Sequence, residues 1–232
     1  MTQYLITGAN RGLGLEFVRQ LLERGERVIA ACRHPGRAGA LNRFSGAFPG
    51  HLKVLPLDVS EPRSITAFAS EVAMLESPID VLIHNAGMLV NGEEFGKVEA
   101  QALSHTFATN TMGPFLLSQA LATQLKDGGK VIAISSGLGS IQRTQRFGTP
   151  SYDISKAALN MAMRLLGHAF AERRIAVLAL SPGWVKTDMG GENADLEPAQ
   201  SIGNMLKVID ALAFDDAAIG QFLGNDGKPI PW

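Results

Sequence analysis

The chain has 232 residues, with 21 lysines and arginines against 22 aspartates and glutamates and a formal net charge of −1. No global field therefore draws it to nucleic acid or to an anionic membrane, and any anion site must be local. A chain of this length buries a large core and fits one α/β domain. No apolar run nears the ~20 residues that span a bilayer, so the hydrophobic content of 46% is assigned to a water-soluble core. Cys32, the one cysteine, forms no internal disulfide, and "MTQYLITGAN" lacks the basic and apolar regions of a signal peptide; both point to a reduced, cytoplasmic setting.

In chain order, short runs rich in Ile, Val and Leu alternate with longer amphipathic stretches. "YLIT" (4–7), "RVIAAC" (27–32), "LKVLPLD" (52–58), "DVLIHNAG" (80–87), "KVIAISS" (130–136) and "IAVLALSPG" (175–183) are bounded by Gly, Asp, Asn or Pro and read as strands buried on both faces. Helical stretches fall near 13–24, 62–76, 98–126 and 151–172, with another from about 198 to 213, and "GQFL" supplies a last strand. The alternation predicts one parallel sheet of about seven strands with helices on both faces. The polar, glycine-bearing stretch from 186 to about 205 is expected to be a substrate loop or lid.

Gly8, Gly12 and Gly14 in "YLITGANRGLGLEFVRQLL" follow the first strand and open the first helix. Glycines there let the backbone turn tightly and approach a ligand, and the free N–H groups and dipole of the helix start attract a pyrophosphate. The second strand ends on Cys32, Arg33 and His34, where folds that prefer NAD place an acid for the ribose hydroxyls. Arg33, joined by Arg11 from the glycine turn, offers a charged fork for a 2′-phosphate instead. This favours NADPH over NADH; a pair of solvated surface arginines is the alternative.

Tyr152 and Lys156 are four residues apart, a spacing that puts phenol and ammonium on one helical face. Asn110 stands four residues before Pro114, whose missing N–H deprives the Asn110 carbonyl of its helical partner and predicts a kink. Ser136 ends the fifth strand at the edge where open parallel sheets bind ligands, with Ser135 as the competing hydroxyl. His34, His51, His84, His105 and His168 show no clustered ligand spacing, so no metal is expected.

Taken together, "TGANRGLG", "HNAG" (84–87), Asn110, Ser136, "YDISK" (152–156) and "SPGWVKTD" (181–188) resemble, in this order, the short-chain dehydrogenase/reductase family over residues 4 to about 190. "ISSGLGSI", "YDISKAALN" and "PGWVKTDMGG" are most similar to its C-factor and sniffer-type carbonyl reductase branch. The resemblance implies a single Rossmann-type, doubly wound NAD(P)-binding domain over 1–232 that reduces an aldehyde or ketone with NADPH. It implies that Tyr152 is the general acid/base, that Ser136 polarises the carbonyl, that Lys156 holds the nicotinamide ribose, and that Asn110 holds a water through its backbone carbonyl. The Lys156 charge is expected to lower the Tyr152 pKa from its usual value near 10.

Further cofactor contacts are implied for Gly8, Asn10, Arg11, Gly12, Leu13 and Gly14 in the glycine turn, and for Arg33, Asp58 and Val59 around the adenosine. Asn85, Ala86 and Gly87 would line the ribose, and Pro182, Val185 and Thr187 the nicotinamide. His84 departs from the asparagine of many relatives and is expected to be a hydrogen-bonded strand-end residue. The segment from Ser136 to Tyr152 is longer than relatives often have and predicts an extended loop. A small carbonyl or alcohol substrate and assembly into a homodimer or homotetramer follow from the same resemblance. An NAD-dependent alcohol dehydrogenase and a C-factor-like cofactor-binding signalling or sensor protein are the alternatives.

Overall fold

The structure is a computed structural model that describes residues 1–232. Seven strands build one sheet: β1 (Gln3–Thr7), β2 (Arg27–Cys32), β3 (Leu52–Pro56), β4 (Ile79–His84), β5 (Leu125–Ile134), β6 (Ala176–Ser181) and β7 (Gln221–Gly224). Their spatial order is β3-β2-β1-β4-β5-β6-β7, with every neighbouring pair parallel. The order reverses between β1 and β4, which leaves a crevice at the C-terminal ends of these strands.

Because successive side chains point to opposite faces, each strand feeds two cores. Leu5, Ile29, Val131 and Val177 enter one, while Tyr4, Ile6, Val28, Ile132 and Leu178 enter the other. The first core is covered by α3 (Pro62–Ala73), α5 (Gly113–Ala120) and α6 (Pro150–Ala169), the second by α1 (Gly12–Glu23), α2 (Gly39–Ala47) and α7 (Pro198–Ala211). α3, α6 and α7 each start on a proline, where the missing N–H would have had no helical partner. Helical spacing sets the buried faces: Ile65, Phe68 and Val72 on α3, and Ile202, Met205, Leu206 and Ile209 on α7. Full burial of a side chain such as Phe17 or Phe68 stabilises the fold by ~1.5–3 kcal/mol.

Three expectations change. The single helix expected over 98–126 is α4 (Ala100–Phe107), a π-turn over Ala108–Met112, and α5, after which β5 begins at Leu125. Gly113 N donates to Ala108 O across five residues, a widened register next to a proline that cannot donate to the Asn110 carbonyl. α2 is an additional helix that no sequence signal announced. Finally, α7 starts at Pro198, so residues 198–205 of the expected lid are helical and the irregular segment ends before them. No helix is long and apolar enough to cross a membrane.

Candidate active site

The crevice is built first by the glycine turn. Gly8 and Gly12 adopt left-handed φ values of 64° and 53°, which glycine reaches without the penalty of a Cβ. A Cβ on Gly8 would meet Ala86 Cα at 2.8 Å, and one on Gly14 would collide with Gly8 O and Asn85 Nδ2. The turn is thus packed directly on the 85–87 segment. Asn85 Nδ2 donates to Thr7 O (2.9 Å) and Gly8 O (3.1 Å), while Thr7 Oγ1 accepts from Asn85 N (3.1 Å) and Ala86 N (3.0 Å). α1 opens behind the turn without a side-chain cap and without an acid in its first turn, so its N–H groups and positive dipole end remain available to an anion.

The resulting cleft has a volume of about 310 Å³, within the range of ligand pockets. Gly8, Asn10, Arg11, Gly12, Leu13, Arg33, Asp58, Val59, Asn85, Ala86, Gly87, Tyr152, Lys156, Pro182 and Thr187 line it; Gly14, Asn110, Ser136 and Val185 do not. Gly14 and Asn110 support the wall from behind. Val185 is buried under its own loop, where it bridges to Leu196. That loop closes on itself, since Trp184 Nε1 donates to Gly190 O (2.8 Å) and Gly191 N to Thr187 O (2.9 Å).

At the β2 wall stand Cys32 and Arg33, and at the β3 wall Asp58. Asp58 Oδ1 accepts from Ser60 N (3.0 Å) and Ser60 Oγ (2.6 Å), which makes it a turn former. Arg11, expected to close on a 2′-phosphate, is paired instead with Asp188 at 2.8 Å, because the loop after β6 brings that carboxylate across the cleft mouth. The cleft is therefore glycine-lined at one end, with the Arg33 guanidinium at its wall and the uncapped start of α1 behind it, and carries Tyr152 and Lys156 at the other, a donor set that fits a phosphate-bearing dinucleotide.

On α6, Tyr152, Ser155, Lys156, Leu159 and Met163 form the buried face. Tyr152 is 7% exposed and Lys156 4%. Lys156 Nζ donates to Ile134 O at 2.7 Å and lies 5.5 Å from the Tyr152 ring centroid. Burial pushes the Lys156 ammonium down to about 8 and the Tyr152 phenol up to about 12, with the Ser136 hydroxyl lowering and the Asp153 charge raising the latter. The expected lowering of the Tyr152 pKa is thus corrected: loss of hydration of the phenolate dominates, and the same burial drives the lysine toward its neutral form.

Ser136 caps a 3₁₀ turn over Gly137–Gly139, its Oγ accepting from Leu138 N at 3.1 Å. Ser135 Oγ is committed elsewhere, donating to Asn160 Oδ1 at 2.6 Å. Ser136 is accordingly the hydroxyl that acts on the phenol. A Cβ on Gly139 would meet the Lys156 carbonyl carbon at 2.8 Å, so this turn lies flat against α6 at the lysine.

The Asn110 side chain is hydrogen-bonded at both of its polar atoms. Its Oδ1 accepts from Met88 N (2.8 Å), and its Nδ2 donates to Met88 O (2.8 Å) and Ser155 Oγ (3.0 Å), which in turn donates to Tyr152 O (2.7 Å). The π-turn therefore fastens the 85–88 segment to α6. His84 is buried: Ser118 Oγ donates to Pro114 O (2.8 Å), so His84 Nε2 donates to Ser118 Oγ (2.8 Å), and Nδ1 has no partner. Burial holds its pKa down to about 3, as suits a hydrogen-bonded strand-end residue.

Sequence reasoning missed Met88, Thr109, Asp188 and Met189, which also line the cleft, and Thr7, which braces it. It also missed Glu93, whose Oε2 accepts from Ser151 N (3.2 Å) and Ser151 Oγ (2.8 Å) beside Tyr152. Asp188 was within a quoted motif; Glu93, 58 residues from its partner, had no local signal.

A parallel sheet of this order, with a glycine turn and cleft at the point of reversal, is a Rossmann-type doubly wound α/β fold. A family model described as short chain dehydrogenase matches residues 3–197, and the chain belongs to that family of oxidoreductases. The structure is similar to the carbonyl reductase Sniffer of D. melanogaster, with a TM-score of 0.93 and 31% identity over 100% of both chains. It is likewise similar to an NADPH-bound carbonyl reductase from chicken fatty liver, with a TM-score of 0.92 and 38% identity over 100% of this chain and 99% of the other. C-signal of Myxococcus xanthus is 36% identical over 72% of this chain and 99% of its own. These relatives bear out the branch that the motifs indicated.

Proposed function

We propose that the protein is an NADPH-dependent carbonyl reductase acting on a small aldehyde or ketone. The observation that carries the reading is the buried Tyr152 phenol, held on one helical face with Lys156 at the end of a cleft whose other end is a glycine turn flanked by Arg33. The similarity to carbonyl reductases, one of them NADPH-bound, supports the same assignment.

When bound, NADPH would supply the hydride that the carbonyl carbon accepts. Tyr152 keeps its proton through the neutral range, because burial raises its pKa to about 12, and gives that proton to the oxygen as negative charge develops there. Ser136 donates its one hydroxyl proton to the same oxygen as the charge develops. Lys156, anchored on Ile134 O, holds the ribose hydroxyls and restores the proton, while Asn110 fixes the wall between them. Gly8, Asn10, Gly12 and Leu13 receive the pyrophosphate, Gly14 lets the turn pack beneath it, and Arg33 receives the 2′-phosphate. Asp58 and Val59 would border the adenine, Asn85, Ala86 and Gly87 the ribose, and Pro182 and Thr187 the nicotinamide, with Val185 supporting their loop from beneath. The loop ahead of α7 closes the substrate side.

Tyr152→Phe should reduce NADPH-dependent turnover on a screened carbonyl by ~10²–10⁴-fold while NADPH still produces a thermal shift. Unchanged turnover, or no NADPH binding by the wild type, sinks the proposal. Arg33→Ala should lower the preference for NADPH over NADH by about tenfold, and an unchanged preference removes Arg33 from the site. The relationship to C-signal favours one second reading, a cofactor-binding signalling protein; tight NADPH binding without turnover on any carbonyl would carry it. Exposed Phe107, Met112, Ile154, Met161 and Leu165 on or beside α4 and α6 support self-association through these helices, which sedimentation would test.

A further inference from the structure

The loop between Ser136 and Tyr152 carries one end of the proposed chemistry, yet most of it lies outside regular structure, and residues 141–147 are exposed. It is tied down at two places. The first tie is Asn160 on α6, which accepts from Ser135 Oγ at 2.6 Å and donates through Nδ2 to Gly139 O at 3.2 Å. The second comes from the segment that follows β7. Ser140 Oγ donates to Pro231 O at 2.6 Å, and Gln142 N donates to Trp232 O at 2.9 Å.

Ser140 is buried and binds the loop to itself as well: its Oγ accepts from Arg143 N (3.3 Å) and its carbonyl from Thr144 Oγ1 (3.0 Å). Trp232 has its own mooring. Its ring stacks on Phe222 of β7 with centroids 5.6 Å apart, and the Arg164 guanidinium of α6 lies 5.8 Å from its centroid. With 42% of the residue exposed, Trp232 adds less to the core than Phe222 or Ile230. What it does is join the sheet edge, the catalytic helix and the loop.

We propose that Trp232 is a positioning residue that, through Ser140 and Gln142, fixes the loop presenting Ser136 to Tyr152. Ser136 Oγ is already hydrogen-bonded into this loop at Leu138 N, so displacement at 138–142 moves the serine within a few residues. The catalytic part of the proposal rests on the carbonyl reductase reading; the holding of the loop does not.

Trypsin provides a readout independent of turnover, because Arg143 and Arg146 lie in the exposed part of the loop. With the full chain, Trp232→Ala should be cleaved at these arginines about tenfold faster than wild type, as expected when local opening becomes easier. Its kcat on the best carbonyl of a screened panel should fall by about tenfold, since small misplacements of reacting groups cost this much or more. The KM for NADPH and the thermal midpoint should stay near wild type, and Trp232→Phe, which retains the stack on Phe222, should restore both rates. If Trp232→Ala does not fold, Ser140→Ala, which removes the donor to Pro231 O, is measured the same way. Cleavage and kcat both at wild-type levels would overturn the proposal, as would faster cleavage with undiminished kcat. If the wild type reduces no carbonyl, the reductase reading falls with the catalytic claim, and the cleavage rates alone decide whether Trp232 holds the loop.

Discussion

Arg11 and Asp188 meet across the mouth of the cleft, guanidinium to carboxylate at 2.8 Å, although they are 177 residues apart in the chain. Arg11 sits in the glycine turn and Asp188 in the loop after β6, so the pair spans the opening through which a dinucleotide would enter. Both side chains are largely exposed, and such a pair stabilises by only ~0–1 kcal/mol. A cofactor phosphate entering there would compete with Asp188 for the same guanidinium. Asp188→Asn should therefore tighten NADPH binding severalfold at low salt, up to about fivefold for a pair of this strength, and Arg11→Ala should weaken it. The difference should fade as salt rises, because the groups are exposed. Titration of NADPH fluorescence in the three proteins checks this; weaker binding by Asp188→Asn would mean that the pair clasps the cofactor.

The two serines that follow β5 differ in what holds them. Ser135 is buried and hydrogen-bonded to Asn160. Ser135→Ala should therefore cost ~1–3 kcal/mol of stability by leaving the Asn160 oxygen unpaired, with a smaller effect on kcat. Ser136→Ala should cost ~0.5–1 kcal/mol of stability through loss of the cap on Leu138 N and lower kcat by ~10- to 100-fold through loss of a donor to the developing oxyanion. Paired denaturation and steady-state measurements separate the two, and a reversed pattern would transfer the catalytic role to Ser135.

The ease with which parts of this molecule could be foreseen follows from where their causes lie. β2 emerges with the bounds of its apolar run, Arg27–Cys32, because a strand covered on both faces is continuously aliphatic. α2 did not, because "GALNRFSGA" buries Leu41 alone and contains two glycines, so no apolar stripe announces it. Tyr152 and Lys156 were legible because one helical turn joins them. The clasp of Arg11 on Asp188, Glu93 under Ser151 and Trp232 on the catalytic loop were not, since each joins segments that only the fold brings together. The direction of the Tyr152 pKa was misjudged for a related reason: spacing reveals a neighbouring charge but not the extent of burial, and here burial dominates.

His84 makes a prediction about acid. Its folded pKa is held down to about 3 by burial, against an ordinary value of 6.5. Between these values the unfolded chain binds a proton that the native state refuses, so stability is full above 6.5 and falls as pH drops toward 3. At pH 5 the linkage amounts to about 2 kcal/mol. His84→Asn removes the titrating group, and its loss of stability between pH 7 and pH 5 should be smaller than that of wild type by about this amount. Urea denaturation of both proteins at both pH values isolates the contribution from that of the carboxylates, which titrate in each. Equal losses would show that His84 is protonated in the native state.

Lys156 and Tyr152 titrate in the reverse of their ordinary order, and two measurements follow. With Lys156 pushed down to about 8 and Tyr152 up to about 12, the phenol keeps its proton across the range in which the lysine loses its own. Carbonyl reduction should thus hold steady below about 8 and decline through that value, well under the lysine norm of 10.5; kcat/KM reports this pKa in the free enzyme. Stability moves the other way. The folded pKa lies below the unfolded one, so between them the unfolded state binds more protons and stability rises with pH. The penalty of burying the ammonium, ~3 kcal/mol at neutral pH for a shift of this size, is relieved as the group deprotonates. Lys156→Met carries no such penalty, so from pH 7 to pH 10 the wild type should gain about 2–3 kcal/mol relative to it. Tyr152 opposes the trend only above 10, where the unfolded phenol ionises before the buried one. A reduction profile that stays level to pH 10, with no relative gain in stability, would show that Lys156 remains charged inside the fold and that a neighbouring group compensates for its burial.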